Sequence, residues 1–140
     1  MKTIIIPTDF SPAATNAMNY GLDMAKAINA SVMLFHVYNV PVSMSDVPVL
    51  LVSVEELKHE AEAKMKEVKA AAEHVTSGNV KIYSETRLGD VMDELEDLCN
   101  HLQPFAIIMG SRGSSGLERV IFGSTTLSAI RHLAYPVIAV

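Results

Sequence analysis

The spacing Gly110-x2-Gly113-x9-Gly123-Ser124-Thr125 sets a glycine-rich loop between an apolar run and the start of a helix. Phe105-Ala106-Ile107-Ile108-Met109 reads as a buried strand, and Gly123-Ser124-Thr125-Thr126 as a helix opening. The first amides of a helix lack intrahelical acceptors and lie at the positive end of its dipole, so they attract anions. Glycines let the backbone approach such an anion closely, and the Ser124 and Thr125 hydroxyls add donors. The chemistry implied is phosphate binding. A second polar turn, Pro7-Thr8-Asp9, ends the first apolar run, Ile4-Ile5-Ile6.

Other phosphate-handling patterns fit less well. A Walker loop needs a Gly-Lys-Ser/Thr ending, and residues 110–116 contain no lysine. A dinucleotide fold needs Gly-x-Gly-x-x-Gly after the first strand, where this chain has Thr8-Asp9-Phe10-Ser11-Pro12. A phosphoryl-accepting receiver domain needs more than one acid there and a lysine near the last strand. Adenylating relatives carry a Ser-Gly-Gly loop after the first strand, which is also missing. No catalytic residue is assigned.

The elements that must position these motifs follow from hydrophobic period. Short apolar runs alternate with helical-period segments, the pattern of parallel strands joined by crossover helices, in the order βαβαβαβαβ. Strand one covers about residues 2–8. Ser11 caps the first helix with Pro12 at its first position, and Ala14, Ala17, Met18, Gly21, Leu22, Ala25 and Ile28 form its buried stripe. Strand two is Val32 to Val37. Residues 39–52 read as a long loop packed over the sheet edge, with a lid as the alternative. Ser53-Val54-Glu55-Glu56 forms a capping box that starts helix two, with Val54, Leu57, Ala61, Met65, Val68, Ala72 and Val75 buried and Gly78 as the stop. Strand three is Val80-Lys81-Ile82-Tyr83, at a sheet edge. Helix three buries Val91, Met92, Leu95, Leu98, Cys99 and Leu102. Its acids Asp90, Asp93 and Glu94 are explained by the helix dipole better than by a metal, and no metal ligands are assigned. The final strand, Tyr135 to Val140, is apolar and lies at the other edge.

Composition bounds the partners. The chain has 140 residues, 49% hydrophobic and 19% charged, enough for one domain with a core, and residues 1–140 are taken as that single domain. A formal net charge of -5 argues against binding a nucleic-acid backbone. Ile4-Ile5-Ile6 is far too short for a signal-peptide core or a membrane span. The one cysteine, Cys99, reads as a small buried apolar residue, and a lone thiol suits a reducing compartment. The expectation is a cytoplasmic protein with no membrane partner.

The glycine spacing, with Pro7-Thr8-Asp9 after strand one, resembles the ATP-binding signature of the universal stress protein family, and the resemblance covers essentially the whole chain. It implies an open five-stranded parallel sheet, strand order 3-2-1-4-5, with helices on both faces: a Rossmann-like fold of the adenine nucleotide alpha hydrolase type. That order sets Pro7-Thr8-Asp9 beside Gly110, at the point where the strand order reverses. It further implies a cofactor, ATP with Mg²⁺, held by Pro7, Thr8, Asp9, Val37, Met109, Gly110, Arg112, Gly113, Gly123, Ser124 and Thr125. Asp9 would take a ribose hydroxyl, or cap its own turn. Val37 would pair with the adenine edge through its backbone. Arg112 would screen phosphate charge or stack on the ligand, or remain an exposed loop cation. His36 reads as a hydrogen-bonded structural residue and not a catalyst.

Family members often dimerise through the final strand, and the bare apolar edge Val137–Val140 fits a homodimer. Some members occur in tandem, so the chain is either a dimerising unit or half of a longer protein. The function implied is an ATP-binding regulatory module of the cytoplasmic stress response. The alternatives are a slow ATP hydrolase or phosphotransferase, and a nucleotide-free protein-interaction module. Binding is favoured over efficient catalysis.

Overall fold

In the computed structural model, which describes residues 1–40, 47–111 and 123–140, five strands form one sheet with the order β3-β2-β1-β4-β5. The strands are β1 Thr3–Pro7, β2 Ser31–Tyr38, β3 Ile82–Leu88, β4 Ala106–Met109 and β5 Val137–Ala139, and every neighbouring pair is parallel. The helices are α1 Pro12–Ile28, α2 Val47–Thr76, α3 Val91–Leu102 and α4 Ser124–His132.

The isoleucine run of β1 builds both cores because successive side chains in a strand point to opposite faces. Ile4 and Ile6 pack with Ala17, Met18 and Leu22 of α1 and with Met65 and Ala72 of α2. Ile5 packs with Leu95, Leu98 and Cys99 of α3 and with Ala129 of α4. All three isoleucines are fully buried, each contributing on the order of 1.5–3 kcal/mol. Helices therefore cover both faces of the sheet, and central strands buried on both sides need no polar alternation.

Local signals set the first helix as its sequence requires. Ser11 accepts the Ala14 amide at 3.1 Å, Pro12 occupies the first turn, and Asn29 closes the helix in the left-handed conformation. The start of α3 is similar, with Asp90 accepting the Asp93 amide at 3.1 Å. Two further acids of this helix, Glu94 and Asp97, bind Arg87 of β3 at 3.3 Å and 2.8 Å.

Several sequence expectations are corrected. Residues 47–52, expected in the long loop, belong to α2, which begins six residues before the capping box at Ser53; residues 41–46 lie outside the described residues, so the lid alternative does too. Pro48 sits at the second position of α2, where its missing N–H costs nothing, and Leu50-Leu51 are good helix formers that a non-periodic apolar run disguised. Val75 is 56% exposed. Its expected place in the core goes to Thr76, whose hydroxyl donates to the Ala72 carbonyl at 2.9 Å and so enters the interior without an unsatisfied group. Leu102, expected in the core, is the last residue of α3 and is exposed, while Leu98 and Cys99 fill the interior. Strand β3 begins at Ile82 and runs on through Leu88, because its ladder with β2 continues to Tyr38↔Leu88.

At Gly21 the backbone of α1 comes close to the sheet. A Cβ there would stand 2.5 Å from Ile6 Cδ1, inside a fully buried layer that cannot yield outward. Gly21→Val is therefore expected to destabilise the fold by about 1–3 kcal/mol, read as a lower urea midpoint. An unchanged midpoint would show that this layer is loosely packed.

Candidate functional site

Strands β1 and β4 lie side by side, but their following helices leave on opposite faces of the sheet: α1 joins the Ile4/Ile6 core and α4 the Ile5 core. A crevice must open at the carboxyl ends of such a pair. The structure has one there, with a volume of about 310 Å³, at the small end of the usual range for ligand sites.

Nine of the eleven residues assigned from sequence line it: Pro7, Thr8 and Asp9 from the β1 end, Val37 from β2, Met109 and Gly110 from the β4 end, and Gly123, Ser124 and Thr125 at the start of α4. Arg112 and Gly113 lie outside the described residues. The sequence separation between the two motifs is thus closed by the pairing of Ile4 with Ala106 and Ile5 with Ile107.

The turn after β1 is fixed by its own side chains. Thr8 Oγ1 accepts the Phe10 amide and Asp9 Oδ1 accepts the Ser11 amide, both at 3.0 Å, which holds Phe10 at a φ of 65°. The capping role foreseen as one alternative for Asp9 is therefore present. Its carboxylate is also solvent-exposed at the cleft, so a second partner can reach it.

Ladder geometry decides where Val37 aims its backbone. Phe35 accepts the Thr8 amide on the β1 side, and Tyr38 accepts the Gly89 amide on the β3 side, each with donor and acceptor within 3.0 Å. Alternation along a strand then directs the Val37 N–H and C=O toward the β1 side. The last β1–β2 pair is Pro7↔Phe35, so beyond it these groups face the crevice.

The two helix starts at this crevice differ. The α1 start is capped by Ser11, whereas α4 begins at Gly123, which has no side chain to cap with. The Gly123 amide itself donates to the Ser111 carbonyl at 2.7 Å, and Thr126 Oγ1 donates to the Gly110 carbonyl at 2.7 Å. The α4 end of the crevice therefore offers a main-chain dipole and the hydroxyls of Ser124 and Thr125. The crevice is lined as well by the apolar side chains of Phe35, Val91 and Leu95. A ligand with a flat apolar part and an anionic part matches this polarity.

His36 also lines the crevice. Its Nδ1 lies 2.7 Å from the Thr8 carbonyl, which can only accept, so Nδ1 carries a proton. The ring packs on Phe10 with centroids 4.3 Å apart. Burial lowers its pKa from 6.5, against the raising effects of the Thr8 hydrogen bond and Asp9, with Lys64 adding a smaller lowering effect. Cys99 is fully buried, and burial pushes its thiol up to about 11, as expected of a packing residue. Among the described residues no three His, Cys, Asp or Glu side chains converge as a metal site. Among the same residues no helix is long and apolar enough to cross a membrane.

The universal stress protein family model matches residues 1–140. This chain belongs to the universal stress protein family. It is 31% identical to universal stress protein MJ0531 of Methanocaldococcus jannaschii over 99% of this chain and 81% of that protein. Its fold matches the universal stress protein UspA from Lactobacillus plantarum with a TM-score of 0.86 at 22% identity, covering 99% and 97% of the two chains. Two further members share the fold at lower identity. One is a universal stress protein in complex with cAMP, with a TM-score of 0.71 at 19% identity over 99% and 96% of the chains. The other, from Arabidopsis thaliana with AMP bound, has a TM-score of 0.66 at 14% identity over 100% and 91%. The sheet is thus the Rossmann-like one of the adenine nucleotide alpha hydrolase type, as the sequence implied.

The universal stress protein cleft includes residues that sequence reasoning left in the core or unassigned. Ala14, Phe35, Val91, Leu95 and Thr126 all line it. Val91 and Leu95 are four apart on α3, a spacing that signals a buried stripe without saying that its first turn ends at a crevice. The signal for Thr126 was its place three residues after Gly123, at a helix start already read as a binding element.

The lowered pKa of His36 carries a stability consequence. The unfolded state takes up the proton first, so this contribution is fully present above pH 6.5 and is lost as pH falls through the folded-state value. Urea unfolding between pH 7.5 and about 5.5 should show stability declining with acidification, and His36→Gln should flatten that decline. An equal slope in both proteins would assign the effect elsewhere.

Proposed function

We propose that this universal stress protein is an adenine nucleotide-binding regulatory module of the cytoplasmic stress response, acting as a single 1–140 domain within a homodimer. The observation that carries this reading is one crevice that joins apolar side chains and the Val37 backbone to the start of α4 at Gly123, which has no side-chain cap. Adenine fits the first end, where main-chain N–H and C=O can pair with its edge. The phosphates fit the second, where the dipole, the Ser124 and Thr125 hydroxyls and the amides of the first turn meet negative charge. Asp9, which is exposed and lines the crevice, would take a ribose hydroxyl. Two solved members of the same fold are described with cAMP and AMP, which supports adenine as the base.

ATP with Mg²⁺ is the proposed ligand; the metal would offset phosphate charge, and Arg112 and Gly113 would complete the phosphate end. The protein side of the site binds and orients. Gly110 and Gly123 keep side chains out of the phosphate space, and Met109 closes the floor.

A calorimetric titration with Mg-ATP, with Mg-GTP for comparison, tests this. Saturable binding selective for ATP is expected. A folded, nucleotide-free protein that gives no saturation would contradict the nucleotide reading and favour an interaction module. Gly123 has φ -62° and ψ 153°, a conformation open to any L-residue. Gly123→Val should therefore fold while losing at least about tenfold in ATP affinity through its intruding side chain, since direct phosphate contact at this turn is worth on the order of 1–2 kcal/mol.

The proposed dimer uses the outer edge of β5. Pro136 and Val140 bond to β4, with the Pro136 carbonyl accepting from Ile107 and the Val140 amide donating to Met109, both within 2.9 Å. Alternation then directs Val137 and Ala139 outward, ready to pair with a second copy. Ile138 packs against the core, so a charge there would test stability as well as association. Ala139→Pro removes one outward donor and leaves the β4–β5 bonds intact. Sedimentation equilibrium is expected to give a dimer for the parent protein and a monomer for the variant; a dimer in both would reject this edge.

A further inference from the structure

The crevice depends on where the first turn of α4 stands relative to the end of β4, and two bonds set that. One is main-chain, from the Gly123 amide to the Ser111 carbonyl at 2.7 Å. The other is the only side-chain bond between these two elements among the described residues: Thr126 Oγ1 to the Gly110 carbonyl, 2.7 Å, across sixteen residues of sequence, with Thr126 4% exposed. Packing of Ala129 holds the body of α4 to the sheet, and the second bond, one turn along the helix, ties its first turn to Gly110 as well. That bond also occupies the Gly110 carbonyl, whose partial negative charge would otherwise stand beside the space assigned to phosphate.

We propose that Thr126 is a positioning residue for the anionic part of the ligand, acting through Gly110 and the first turn of α4. This inference rests on the nucleotide reading of the crevice. It differs from a packing role in what it predicts. A buried threonine that only fills space serves all ligands alike, whereas a lock at the start of α4 serves the phosphates and leaves the base, assigned to Val37 on β2, untouched. Thr126 has the shape of valine, so Thr126→Val removes the donor with the volume kept. Thr126→Ser keeps the donor and removes a methyl group.

The experiment measures ATP and adenosine affinity by calorimetry for the parent protein, Thr126→Val and Thr126→Ser, with folding checked by circular dichroism. Thr126→Ala, which removes the donor without bulk, serves if the valine variant does not fold. The expected result is a loss of about tenfold or more in ATP affinity for the variant without a donor, adenosine affinity within about twofold of the parent, and recovery of ATP affinity in the serine variant. Equal losses for ATP and adenosine, or no recovery with serine, would make Thr126 a packing residue and overturn the inference. If the parent binds ATP and the valine variant binds it equally well, the inference fails alone. If the parent binds no ATP, the nucleotide reading fails and takes this inference with it.

Discussion

The parallel pairing of β1 with β4, and the departure of their helices to opposite faces, is the constraint on which the rest of this structure depends. Ile4↔Ala106 and Ile5↔Ile107 hold the two strands in register. Because α1 packs on the Ile4/Ile6 side and α4 on the Ile5 side, these two helices diverge from the carboxyl ends of the pair. A crevice is the geometric result, and it needs no residue of its own to create it. What the sequence adds is the content of that crevice: a turn locked by Thr8 and Asp9 on one side and a helix start without a side-chain cap on the other.

The division of polarity follows from the same frame. Strand β2 outruns β1, so the backbone of Val37 meets the crevice where its neighbour has ended. The first turns of α3 bring Val91 and Leu95 to the crevice, and α3 is held to β3 by Arg87, which reaches Glu85, Glu94 and Asp97 while its guanidinium lies 5.4 Å from the Phe35 ring centre. These ion pairs sit near the surface and contribute modestly one by one. Their role is to fix the helix that brings Val91 and Leu95 to the crevice. The α4 end depends instead on two bonds, from the Gly123 amide to the Ser111 carbonyl and from the Thr126 hydroxyl to the Gly110 carbonyl.

How much of this was legible in the sequence varied with the range of the interaction. The α1 start was fully local, from Ser11 and Pro12, and the structure agrees. The sheet order and the meeting of the two motifs came through family resemblance, since long-range strand pairing leaves no local mark in one chain. The start of α2 was misplaced because the capping box at Ser53 is a strong local pattern that the helix runs straight through. Val75 and Thr76 exchanged roles because a polar side chain that bonds back to its own helix can be buried, which periodicity in hydrophobicity does not register. Strand β3 was cut short because Glu85 and Arg87 look like loop residues, yet on an edge strand they pair with each other at 2.9 Å and leave the ladder intact.

The central claim is that one ligand spans both ends of the crevice, with its base at Val37 and its phosphates at the start of α4. The most direct measurement is an amide-resolved NMR titration of the isotope-labelled protein with Mg-ATP. The account predicts that the Val37 amide and the Ser124 and Thr125 amides shift together, along a single saturation curve. Shifts at neither end would contradict it, and so would shifts at the α4 end that inorganic phosphate alone reproduces while Val37 stays still.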